Sequence, residues 1–86
     1  HLGGSNWMDV IAFAKEHKNA YLDLSATFTP LSVKTALTEL PEKCFFSSDA
    51  PFGEPILSRE LIEFVSPSKE VTNMALGENI ANLLNL

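Results

Sequence analysis

The spacing of apolar residues changes period several times along this chain. Trp7, Val10, Ile11 and Ala14 recur at helical intervals, one stripe of a 3.6-residue repeat. The spacing predicts a helix over about 6–18. Asn6 stands as its candidate N-cap, and Asp9 lies in the first turn, where the helix dipole favours negative charge. His17 and Lys18 suit the opposite end. Ala20-Tyr21-Leu22-Asp23-Leu24 is a short run of strand formers bounded by Asn19 and Ser25, and predicts a buried strand. A second helix follows, with Thr29 as cap and Pro30 at the first position, where a missing N–H costs nothing. Val33, Ala36, Leu37 and Leu40 form its stripe, and Pro41 ends it.

Residues 43–48 predict a second strand leading to Asp49. Residues 50–55 hold two prolines and a glycine and read as irregular. Helical patterns then cover about 57–65, 67–76 from Ser66-Pro67, and 78–85 after Gly77. Ile80, Leu83 and Leu84 supply the apolar face of the last helix. Strands alternating with helices predict an α/β fold with parallel strands and crossover helices. Two strands cannot cover a parallel sheet's faces and edges, and a closed βα-barrel takes about 250 residues. The pattern therefore reads as part of a larger sheet.

Composition narrows the function classes. The chain has 86 residues, 45% of them hydrophobic, and a formal net charge of -5 with six Lys and Arg. That content suits a globular chain, and the charge argues against nucleic acid and anionic membrane surfaces as partners. No stretch approaches the roughly 20 apolar residues of a membrane span, and no signal-peptide pattern opens the chain. The lone Cys44 points to a reducing cytoplasm. The chain starts at His1 without an initiator Met, which reads as a processed or partial chain.

Two segments carry candidate chemistry. Alternation sets Phe45, Ser47 and Asp49 on one strand face and Cys44, Phe46 and Ser48 on the other. A carboxylate at the C-terminal end of a parallel strand is where α/β sheets and barrels gather reactive groups; equally, an Asp before a proline-containing loop opens turns. His1 precedes Gly3-Gly4, which fits a backbone turning tightly beside a ligand, or a frayed terminus. Imidazole and carboxylate are ligands for zinc or iron and can serve as general bases. Asp23, inside an apolar strand, needs a partner if buried and is a second pocket candidate. Phe52, in the loop after Asp49, is either a pocket wall or a structural plug. Trp7 reads as packing, Cys44 as core, and His17 as a solvated residue at a helix end.

Taken together, His1-x-Gly3-Gly4, the helix containing Trp7, Tyr21-Leu22-Asp23-Leu24-Ser25, Phe46-Ser47-Ser48-Asp49-x-Pro51-Phe52-Gly53 and Gly77-x-Asn79-x-x-x-Leu83-Leu84 resemble the amidohydrolase-related family. Within it, the pattern is similar to the branch of metal-dependent hydrolases and nonoxidative decarboxylases. The resemblance spans residues 1–86 as one unit. It implies the last part of a (β/α)8 TIM barrel, from the end of strand 6 through the C-terminal helices. It further implies that Asp49 ligates a divalent metal, zinc, or takes a proton from its water, and that His1 binds metal or acts as acid/base toward a small-molecule substrate. The family's His-x-His and its further strand-5 histidine have no counterpart here. The resemblance therefore implies a fragment with little activity of its own, completed by the remainder of the barrel. The competing reading is a noncatalytic α/β module that completes its sheet through another copy, as a homo-oligomer, or through a partner.

Overall fold

The first helix, α1 (Trp7–Glu16), is entered through a single 3-10 turn, Gly4–Asn6. Gly3 makes that entry, with φ 82° and with Val10 Cγ2 only 2.3 Å from where a Cβ would sit; neither condition admits a larger residue. Asn6 makes no side-chain cap. At the other end Lys43 acts as the cap, its ammonium donating to the carbonyls of Ala14 and His17, each at 2.7 Å. A cation there satisfies orphan carbonyls and complements the dipole. Ile11 and Ala14 are buried, while Trp7 and Val10 pack partly against the core.

The structure, a computed structural model, describes residues 1–27 and 29–86. Strand β1 (Leu22–Asp23) is followed by α2 (Pro30–Glu39), a 3-10 turn (Pro41–Lys43) and β2 (Cys44–Phe45). The strands pair in parallel, Leu22 opposite Cys44 and Asp23 opposite Phe45. All four stripe residues of α2, Val33, Ala36, Leu37 and Leu40, are buried. Helix α3 (Pro55–Val65) starts earlier than its apolar pattern, because Pro55 occupies the first turn and Glu54 caps it through the Ile56 N–H. Ile62 and Val65 of α3 enter the core.

Helix α4 (Lys69–Asn73), a π segment (Met74–Glu78) and α5 (Asn79–Leu83) run on without a break. The chain does not stop at Gly77; the backbone widens there instead. The Asn79 N–H reaches back five residues to the Met74 carbonyl, and the Ala75 carbonyl accepts from Phe46 N–H at 2.8 Å. The Asn79 side chain, buried, donates to the carbonyls of Pro41 at 2.7 Å and Cys44 at 2.9 Å. The apolar residues predicted to bury α5 face out, with Ile80, Leu83 and Leu84 all exposed. α5 is anchored through its polar residue.

The chain does not form the closing part of a (β/α)8 barrel. It is 61% helical, and its sheet has two strands. The two borders of that sheet show why. In parallel strands alternate residues turn their backbone groups to opposite sides. The outward groups of β2, Cys44 C=O and Phe46 N–H, are taken by Asn79 and Ala75. On the other border Leu2 N–H donates to the Asp23 carbonyl at 2.9 Å. The positions a third strand would fill are held by a helix and by the opening segment. The Cα radius of gyration is 11.7 Å, against about 12 Å expected for a compact domain of this length. No helix among the described residues is long and apolar enough to cross a membrane.

Candidate functional site

The C-terminal ends of β1 and β2 bring three residues of the sequence-derived set together. Asp23 ends β1, Asp49 follows β2 by four residues, and His1 lies beside both. His1 Nε2 stands 3.3 Å from Asp49 Oδ2, although 48 positions separate them in sequence. The His1 α-amino group donates to Asp23 Oδ2 at 2.7 Å.

Asp23 organises the group. Its Oδ2 also accepts from Ser25 Oγ at 2.7 Å, and its Oδ1 accepts from Ser25 N–H at 3.2 Å and from Ser47 Oγ. Partial burial pushes this carboxyl upward, but hydrogen bonds from the α-amino group, Ser47 and Ser25 outweigh it and hold the pKa at about 2. A carboxylate so occupied stays ionised and fixes its neighbours. Because Ser47 lies two residues before Asp49, Asp23 ties the second strand's end to His1.

Asp49 is set by its turn. Its carbonyl accepts from Gly53 N–H at 2.8 Å, and a Cβ on Gly53 would fall 1.7 Å from the Ser48 carbonyl oxygen. Only glycine closes this turn. The Asp49 backbone is left-handed, φ 60°, as are those of Leu2 at 53° and Ala26 at 49°. Asp tolerates that region; Leu and Ala adopt it only when their surroundings hold them there. Among the described residues four non-glycine positions have positive φ, and three of them belong to the segments that form this site. Such strain gathers at functional sites.

Beside His1 opens a cavity of about 520 Å3, lined by Gly4, Ser5, Trp7, Ala26, Thr27, Thr29 and Ser32. Ser5, Ala26 and Thr27 escaped the pattern analysis. Their signal was weak, namely small or hydroxyl residues just beyond a glycine pair and a strand end. Phe52 does not join the group; it is 91% exposed and lines no part of this cavity. Cys44 is wholly buried, its thiol pushed up to about 12 by burial and by the nearby Glu42 charge, and it donates to the Leu40 carbonyl at 3.3 Å. It belongs to the hydrophobic core. His17 Nδ1 bonds the Phe13 carbonyl oxygen at 2.8 Å, away from the site.

The His1–Asp49 pair suits a metal in part. Two zinc ligands at about 2.0–2.2 Å, a tetrahedral angle apart, lie about 3.3 Å from each other, which is the Nε2–Oδ2 distance found. A catalytic zinc takes three protein ligands, and no group of three or more His, Cys, Asp or Glu side chains able to hold a metal is found among the described residues. The pair offers two corners of such a site. No protein-family model matches the chain, and no curated protein matches it.

Proposed function

We propose that this protein carries the acid/base pair of a metal-dependent hydrolase site of the amidohydrolase type. Its substrate is a small molecule with an amide or ester-like bond, or an acid that loses carbon dioxide at the same centre. The observation behind this reading is the 3.3 Å approach of His1 Nε2 to Asp49 Oδ2 at the C-terminal ends of parallel strands, where α/β folds gather their chemistry. His1 and Asp49 would hold one divalent cation, zinc by the character of the donors, and that cation would supply a water acidified from a pKa of 15.7 toward about 7. Asp49 would take up the proton of the attacking water and deliver that same proton to the leaving group, while His1, where it is not a ligand, would orient the substrate's carbonyl. Asp23 acts through them, as a positioning residue. The lone, buried thiol of Cys44 fits a cytoplasmic protein.

The test is competition for zinc against a chromogenic chelator. One zinc per chain is expected, with His1→Ala and Asp49→Asn each weakening it by about tenfold or more, on the scale seen for groups at metal sites. Equal affinity in all three proteins would remove the metal reading. With two ligands of three, the 86-residue chain is expected to turn over amides and esters negligibly, and brisk zinc-dependent hydrolysis would contradict that.

A second reading, a noncatalytic module that self-associates, has support in exposed apolar side chains. Phe64 is 83% and Leu31 is 60% exposed, and both line one groove with Pro30 and Pro67. A monomer by sedimentation across a wide concentration range would remove it.

A further inference from the structure

Helix α3 carries more apolar residues than its buried stripe uses. Ile62 and Val65 enter the core, yet Leu57 is 68% and Phe64 83% exposed. Leu57, Leu61 and Phe64 recur at i, i+4 and i+7, so they share one helical face, beside the buried one. Phe64 meets the start of α2 there. Pro30, Leu31 and Lys34 line one groove with Phe64, Val65 and the Ser66-Pro67 turn, and Leu31 is 60% exposed. Contiguous apolar surface rimmed by polar groups marks a docking face.

The same face carries one charge of each sign. Lys34 stands at its α2 side, and Glu60 lies on α3 three residues after Leu57 and four before Phe64, within the stripe's reach. Both are exposed, and neither enters an ion pair among the described residues. A two-fold contact joins a patch to itself, so that residue i meets j and j meets i. With two α3 helices antiparallel, Phe64 falls against the second copy's Leu57. Lys34, beside Phe64, then comes near the second copy's Glu60, and symmetry makes two such pairs. A chain of net charge -5 repels its own copy at large, so these pairs select where contact occurs.

We infer that the groove between α2 and α3 docks a second copy of this chain, as a two-fold dimer anchored by Phe64 and set in register by Lys34 and Glu60. The inference rests on the self-association reading and is independent of the metal. The apolar area of Phe64, Leu31, Leu57 and the two prolines from both copies is on the order of 1,000 Å2, the class of transient contacts. Since even standard interfaces range upward in strength from about micromolar, this dimer is weaker than about 1 μM.

Sedimentation velocity of the 86-residue chain, from micromolar to millimolar concentration, is expected to show a monomer–dimer equilibrium. Phe64→Ala should weaken it about tenfold or more, as loss of an aromatic anchor does. Its side chain is exposed, so an unchanged thermal melt by circular dichroism is expected alongside. Lys34→Glu and Glu60→Lys should each weaken the dimer about threefold or more, by placing like charges together. Mixed in equal amounts, those two variants restore both pairs, and should associate within about threefold of the wild type. Leu86→Ser, at a residue 90% exposed beyond α5, should change nothing. A monomer throughout would remove the self-association reading and this inference together. A dimer that ignores Phe64→Ala, loses as much to Leu86→Ser, or fails to return when the charge variants are mixed would keep the former and overturn the latter.

Discussion

At the scale of single residues, Asp23 and Gly53 do most to fix the candidate site, and neither was equally visible beforehand. Asp23 was noticed because a carboxylate within an apolar strand needs partners, but its partners, Ser25 and Ser47, come from segments that only the fold brings together. Its pKa, held at about 2 against an ordinary 3.8, gives a signed prediction. The folded state binds protons less readily than the unfolded one, so this stabilisation is complete above pH 3.8 and disappears as pH falls through about 2. Urea unfolding between pH 5 and 2 should lose that slope in Asp23→Asn, and carbon-detected titration should find the Asp23 carboxyl ionised near pH 3. Gly53 is demanded by backbone proximity to Ser48, which no local pattern reveals. Gly53→Ala should cost about 1–3 kcal/mol, as overpacking does, and, on the metal reading proposed for His1 and Asp49, should weaken zinc binding as well. An unchanged urea midpoint would mean that the turn relaxes freely.

At the scale of elements, the periodic helices were legible and the polar anchors were not. Val33, Ala36, Leu37 and Leu40 obey the period and are buried, because apolar burial follows spacing alone. The strands were legible as places but not in length, since only Leu22–Asp23 and Cys44–Phe45 pair; strand length depends on neighbours, not on local sequence. The last helix was misread. Ile80, Leu83 and Leu84 suggested a buried face, yet Asn79 faces inward to bond Pro41 and Cys44. An amide that bonds two carbonyls at once cannot be found by hydrophobic period. Asn79→Ala strands both acceptors and should cost about 1–3 kcal/mol, measured by denaturant unfolding. Asn79→Asp should be at least as damaging, because a carboxylate has no N–H to give. Lys43, holding the end of α1, is the same kind of residue: a polar side chain whose role exists only after folding.

At the scale of the whole molecule, one core joins α1, both strands, α2, α3 and the π segment. Ile62, 1% exposed on α3, packs in that core. Ile62→Ala should cost about 2–5 kcal/mol and lower the unfolding midpoint by fluorescence and circular dichroism together; separate transitions would show that α3 folds apart from the rest. The architecture itself was misjudged from sequence because two strands were read as a deficit of sheet, when helical backbone and one side-chain amide supply the missing partners. That substitution has a practical corollary. A sheet bordered by a helix on one side and by the Leu2 segment on the other leaves little room for an incoming strand to dock by its backbone. Concentrated solutions of the folded protein should accordingly resist seeding by cross-β fibrils. Variants that free the β2 border, Asn79→Ala first among them, should become the ones that seed.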